Sequence, residues 1–197
     1  MNKKYLAIIG AGGHGKVVAD CAQLMQQWDE ISFYDDKFSQ DRSLAALEEL
    51  SPKKTDVFVA IGDNHVRETL AKQFQEKGFN LPIVQHPKSV VAQESVIGNG
   101  TVLMAGTIVN PGATIGEGCI LNTASSVDHD CTLGNYIHVA PGARLAGTVS
   151  VEDRSWIGIG SVICENRSIG NDVIVGAGAV VVHDIVDHKV VKGVPAK

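Results

Sequence analysis

From Val96 to Ile185 the chain divides every six residues, and the second residue of each piece is Ile, Leu or Val. The pieces run VIGNGT, VLMAGT, IVNPGA, TIGEGC and onward to VVVHDI, fifteen in succession, with the aliphatic at 97, 103, 109 and so on to 181. Four residues after the aliphatic stands a small residue or Val in twelve of the fifteen; Ile137, Arg167 and Ile185 depart from the rule. Gly, Asn, Asp and Pro collect between. Six residues make one short strand and one sharp turn. Three units close a triangular coil of eighteen, with the aliphatic pointing inward and the small residue near the corner. Coils then stack at the strand spacing of about 4.8 Å, each covering the last. Fifteen units predict five coils. The unbroken pattern predicts no long loop projecting from the prism.

The chain of 197 residues has room for one large domain or two small ones. Its 21 glycines and 5% aromatics fit a repetitive β architecture, and 44% hydrophobic with 20% charged residues is a globular balance. Before Leu81 the pattern is different. YLAII, ISFYDD, DVFVAIG and LPIVQHP read as strands. KVVADCAQLMQQW, SLAALEEL and NHVRETLAKQFQEKG read as helices, the last stopped by Gly78. Alternation of this kind predicts an α/β N-terminal domain with a Rossmann-like parallel sheet over residues 1–85, followed by a parallel β-helix over 86–197.

IIGAGGHGKVV carries Gly10, Gly12 and Gly15 in the G-x-G-x-x-G spacing between a strand and a helix, and Asp35 follows twenty residues later. That is the dinucleotide fingerprint in its proper context. About 85 residues, however, supply only one mononucleotide-binding half, and the half that would seat a nicotinamide is replaced by the prism. The glycines serve any ligand whose phosphates approach a helix N-terminus, a nucleotide-sugar included. Lys37 and Arg67 are candidate phosphate counter-charges.

Within the lattice, SSVDHDCTLG places His129 on an outward turn two residues after the inward Val127. Asp and His are ordinary turn residues. Eighteen residues on, one coil along, stands Gly147, which leaves room and an approachable backbone N–H beside the imidazole. A base next to an open N–H donor is what acyl transfer requires: one takes the proton of the nucleophile, the other holds the oxyanion. A zinc site would need three histidines with a close H-x-x-x-x-H pair. His129 and His138 lack that spacing, and no other histidine lies between Val96 and Val182, so no metal is expected.

The segment ILNTASSVDHDCTLGNYIHVAPGARLAGTVSV, with GAGGHG before it and the GVPAK tail after it, resembles the sugar O-acyltransferase group related to sialic acid O-acetyltransferases. Within that group it is most similar to nucleotide-amino-sugar N-acetyltransferases such as those of bacillosamine glycan biosynthesis. The resemblance covers nearly the whole chain and implies a left-handed β-helix. It implies that His129 is the general base and that Asp130 raises its basicity, although some members carry Glu at that place. It implies substrate contacts at Gly12, Gly13, His14, Asp35, Asp36, Gly62 and Asn122. Acetyl-CoA, the co-substrate, is expected near His138, Ile159 and Ala177, the last two mainly through backbone. Arg154, Arg167, Lys189, Lys192 and Lys197 are available for the CoA phosphates.

The expected activity is acetyl-CoA-dependent N-acetylation of the 4-amino group of a nucleotide-linked, UDP-linked, amino sugar. The alternatives are O-acetylation of the sialic acid type and a non-catalytic nucleotide-binding sensor. Flat prism faces rich in Val, Ile and Ala predict a homotrimer, with acetyl-CoA in the groove between neighbouring prisms in the resembling family. A net charge of −5 argues against a general nucleic-acid surface. Cys21, Cys119, Cys131 and Cys164 have no C-x-x-C spacing, which predicts reduced thiols and a cytoplasmic protein. The opening apolar run is too short for a signal-peptide core, and no stretch nears the roughly 20 apolar residues of a membrane span, so no insertion is expected.

Overall fold

A computed structural model describes residues 4–36, 43, 46 and 50–197. Strands β1 (Tyr5–Ile9), β2 (Glu30–Tyr34) and β3 (Thr55–Val59) form a parallel sheet in the order β2-β1-β3. Helix α1 (Gly13–Met25) follows β1 and buries Val18, Ala19, Cys21 and Ala22. Helix α2 (Asn64–Glu76) follows β3; its first turn is capped by the Asp63 carboxylate, which accepts from Val66 N at 2.9 Å. Gly78, at φ +83°, ends the helical run as expected. The helix expected over SLAALEEL, and Lys37, lie outside the described residues but for Ser43, Ala46 and Leu50.

The fourth strand of the α/β sheet is not there. Asn80 makes only an isolated bridge to Asp56. The strand read in LPIVQHP, Val84–Gln85, instead pairs with Val102–Leu103 and is the first rung of the prism. Val84 stands eighteen residues before Val102, so it falls into the repeat that the sequence reading began only at Val96. The prism therefore has three parallel sheets of seven, six and five two-residue strands, six coils rather than five.

The repeat explains the packing. Leu103, Val109, Ile115, Leu121, Val127 and Leu133 point inward and are at most 1% exposed. Each covers the residue one coil below, and the stacked column is the core. The small residues seal the corners, and Thr101, Thr107, Ala113, Ser125, Ser155 and Ser161 are fully buried. Every sixth residue from Gly100 to Gly178 takes a left-handed backbone, φ between 55° and 76°, which turns the chain at each corner. The last coil is two residues shorter than the others. Ile185 bridges Ile169 and Val190 pairs with Ile174, each sixteen residues apart. That shortening brings Ile185 level with the inward column, where a spacing of eighteen would have put Asp187.

The α/β domain rests on the outward face of the first sheet. Leu6, Ile8, Val18, Ala22 and Phe58 pack against Val84, Val102, Met104 and Ile120. The outward column of that sheet continues upward as His138, Trp156, Ile174 and Val190. Its lower members are fully covered, whereas Ile174 and Val190 are 47% and 67% exposed. His138 and Trp156 thus sit at the seam where the α/β domain stops.

Candidate active site

His129 is at a prism corner, exposed, with its ring over the coil above. A Cβ on Gly147 would lie 2.5 Å from His129 Nε2 and 2.6 Å from Cε1, so only glycine admits the ring there. Asp130, next along and left-handed at φ 57°, turns its carboxylate back: Oδ2 lies 2.9 Å from His129 Nδ1, and Oδ1 packs over Gly112. A carboxylate only accepts, so Nδ1–H is the donor and Nε2 carries the lone pair. Asp128 Oδ1 accepts from His129 N and from Asn110 Nδ2, each at 2.7 Å, and holds the backbone of this corner. The bond to Asp130, aided by the charges of Asp128 and Asp130, raises the His129 pKa above its ordinary value. Gly147 N–H has no hydrogen-bond partner among the described residues.

The glycine-rich turn opens at the carboxyl ends of β1 and β3. Asp35 Oδ2 accepts from Ala11 N at 2.9 Å and ties the turn to the end of β2. Gly15 has a packing reason, since a Cβ there would strike Gly10 O. Gly12, Gly13 and Gly62 have none: no atom lies within 4 Å of a Cβ built on any of them. They leave an open crevice between the turns after β1 and β3, where the strand order reverses and the α1 N-terminus offers its free N–H groups. Asp36 is exposed beside it.

His14, from the first turn of α1, faces His138 of the prism at 6.4 Å between ring centroids. Asn122 Nδ2 lies 3.1 Å from His138 Nε2, and the Trp156 ring packs against His138 at 4.2 Å. Two buried ring nitrogens here, His14 Nε2 and His138 Nδ1, have no partner among the described residues. Burial, with help from the Arg67 charge, pushes His14 down to about 4 and His138 to about 3, so both are neutral at physiological pH. A neutral imidazole with an idle nitrogen can still donate or accept one further hydrogen bond.

His138 also borders a groove of about 300 Å³ that continues past Trp156, Gly158 and Ile159 to Ala177. The structure therefore joins His138, Ile159 and Ala177 in one apolar channel, and joins His14 and Asn122 to its inner end. It does not bring His129 to that channel within one chain. Ile159 and Ala177 stack on the corner after the first sheet, and His129 and Gly147 on the next corner, with a whole sheet between them.

Two cations expected to meet phosphates are committed elsewhere. Arg67 is 1% exposed and its five N–H groups all bond to protein oxygens. Arg154 is held by both oxygens of Asp172, at 2.9 and 3.0 Å. Arg167 pairs with Asp184 at 3.5 Å, while Lys189, Lys192 and Lys197 are exposed. Trp156 was missed by sequence reasoning, although it lies eighteen residues after His138 and the period alone stacks the two. Among the described residues no cluster of three or more His, Cys, Asp or Glu could hold a metal, and no helix is long and apolar enough to cross a membrane.

Known proteins share this fold. A family profile described as the PglD N-terminal domain matches residues 5–74. The acetyltransferase domain of PglB from Neisseria gonorrhoeae FA1090 is 40% identical, with a TM-score of 0.95 over 98% of each chain, and has also been solved with acetyl coenzyme A. PerB from Caulobacter crescentus, in complex with CoA and GDP-perosamine, is 38% identical, with a TM-score of 0.93 over 98% of this chain and 95% of that one. The same protein has been solved with one histidine replaced by Asn and by Ala. GDP-perosamine N-acetyltransferase of Escherichia coli O157:H7 is 35% identical over 121 residues, 61% of this chain and 54% of the relative, so the chain spans about half the length of that curated relative.

Proposed function

The chain belongs to the hexapeptide-repeat sugar N-acetyltransferases, and from that membership we propose that it transfers an acetyl group from acetyl-CoA to the 4-amino group of a nucleotide-linked amino sugar. The observation that carries the reading is His129, braced by Asp130 at 2.9 Å and lying over a glycine whose N–H is unused.

In this reading the free amine attacks the thioester carbonyl carbon. As the C–N bond forms, His129 Nε2 takes a proton from the nitrogen, and the Asp130 carboxylate stabilises the imidazolium. Gly147 N–H donates to the oxyanion of the tetrahedral intermediate. The C–S bond then breaks, and the CoA thiolate recovers the proton from His129. Products are the amide and free CoA. The neutral pair His14 and His138 can bond the sugar, and the amine enters the reaction deprotonated, its ammonium proton lost to solvent beforehand. The crevice at Gly12, Gly13 and Gly62, with Asp35 and Asp36 beside it, takes the nucleotide, and Asn122 the sugar. The channel past Ile159 and Ala177 takes acetyl-CoA.

The placement of base and channel on different corners supports a homotrimer. In a ring of three prisms, His129 of one protomer can face the channel of its neighbour. Val90, Ile108 and Val162 stand outward on the intervening sheet at 63%, 37% and 40% exposure, and a neighbouring prism would cover them.

Thiol release from acetyl-CoA with UDP-, GDP- and dTDP-linked 4-amino sugars tests the reading and names the base. UDP is the expectation from the family resemblance, and the ligand solved with PerB is a GDP-linked sugar. Release with sugar hydroxyl acceptors but not with amines would make it an O-acetyltransferase. Nucleotide binding without release on any acceptor would make it a sensor.

A further inference from the structure

Arg67, on α2, heads the large side chains that the fold buries completely. Its guanidinium has five N–H groups, and every one is used. Nε donates to Gly118 O at 2.7 Å. Nη1 donates to Ile61 O at 2.9 Å and Gly62 O at 3.1 Å. Nη2 donates to Asn64 Oδ1 at 2.7 Å and Tyr136 O at 2.8 Å. Two of these acceptors are on the turn after β3 that walls the crevice. Two are at prism corners one coil apart. Asn64 extends the reach to the next corner up, where its Nδ2 donates to Arg154 O at 2.7 Å. Three stacked corners, at 118, 136 and 154, are thus fastened to one turn of the other domain.

We propose that Arg67 is a positioning residue: it locks the turn after β3 to three stacked prism corners and so sets His14 of the crevice against His138 of the prism, at the seam where the amino sugar is to lie. The inference rests on the function proposed above.

Lysine could not replace it, since three donors on a point charge cannot span acceptors arranged around a planar fork. The charge has a second effect. Burial draws the guanidinium down to about 10, which leaves it protonated at neutral pH. The groups that act on it are Asp63 at the head of α2, the Cys119 thiol and the Tyr136 phenol. Burial pushes the last two up to about 11 and about 12, so both are neutral. The cation, offset in part by Asp63, then adds to burial in discouraging a proton on His14 and on His138, and His14 adds a smaller effect on His138.

The test uses the unliganded protein and its turnover. By histidine-labelled NMR, His14 and His138 of the wild type should remain neutral to below pH 5. Arg67→Met should raise both midpoints by about half a pH unit or more, because it removes the nearby charge. Arg67→Lys should keep the midpoints low yet raise KM for the nucleotide sugar on the order of 10- to 100-fold, with kcat less affected, because the crevice is no longer held in register. Asn64→Ser, which drops both the bond to the third corner and one acceptor of Arg67, should move KM in the same direction and gives a second variant if Arg67→Met does not fold. An ordinary titration near 6.5 for either wild-type imidazole, or wild-type KM in Arg67→Lys and Asn64→Ser, would overturn the proposal. If the wild type acetylates no nucleotide amino sugar, the proposed function fails. The imidazole titrations and nucleotide binding by calorimetry still decide the role of Arg67.

Discussion

Gly147→Ala is a perturbation of a single methyl whose consequence follows from one distance. The new Cβ would stand 2.5 Å from His129 Nε2, 2.6 Å from Cε1 and 3.2 Å from Cδ2. Ordinary carbon contacts are about 3.5 Å or longer, so the ring must retreat by about 1 Å. Gly147 has no left-handed backbone to forbid a side chain, and the His129 side chain is 59% exposed and free to move outward. The fold therefore absorbs the change, and Tm should fall by no more than a few degrees. The active arrangement does not absorb it. A shift of about 1 Å in a reacting group costs on the order of 100-fold, or about 2.7 kcal/mol of transition-state stabilisation. The methyl also crowds the N–H assigned to the oxyanion. The assay is thiol release under steady state, with acetyl-CoA affinity measured separately by calorimetry. kcat/KM should drop about 100-fold with acetyl-CoA binding little changed. A variant that keeps kcat/KM within about twofold of wild type would refute the placement of the base over Gly147, whatever the effect of removing His129 itself.

His129→Ala should lower kcat by roughly 10²- to 10⁴-fold while leaving the affinity for both substrates near wild type, and calorimetry beside turnover checks it. Asp130→Asn probes the raised pKa of His129: the base works only when neutral, so a raised pKa places the acid limb of the kcat/KM profile above pH 6.5. Loss of the carboxylate should move that limb to lower pH and lower the plateau, and an unmoved limb in the pH–rate profile would contradict the pairing. Gly13→Val should abolish nucleotide-sugar binding and spare acetyl-CoA, because nothing lies within 4 Å of the added Cβ except the open crevice. Calorimetry showing loss of both ligands in a folded variant would mean a single shared site.

The prism was legible because its period is enforced at every coil. Leu103, Val127 and Ile157 are each sealed by a neighbour eighteen residues away, so no local change can escape the pattern. The same arithmetic sets Gly147 against His129. It failed at the two ends, where a coil has a neighbour on one side only. Gln85 occupies an aliphatic place at the first rung, and the open end of the prism allows a polar residue there. The last coil, likewise uncovered, drops two residues so that Ile185 rather than Asp187 lies level with Ile169. Terminal coils are where a solenoid tolerates exceptions, and exceptions are what hid the first coil.

What the period could not convey is which outward residues are covered. His138 and Arg144 hold equivalent places on adjacent faces, yet one is 6% exposed and the other lies in the open. The difference is the α/β domain, which ends beside His138 and supplies His14 to face it. Arg67 was misread for the same reason. A lone arginine on an amphipathic helix is ordinarily solvated, and nothing near it in sequence announces that Gly118 and Tyr136, 51 and 69 residues away, will take its donors. The chemistry of the seam is a property of the contact between two folds. Each half specifies its own shape locally, through a period of six or through alternating strands and helices. The imidazoles are neutral because the two shapes bury them where they meet, with the Arg67 charge as the lesser cause. Variants at the seam should therefore alter substrate recognition while each half keeps its own secondary structure.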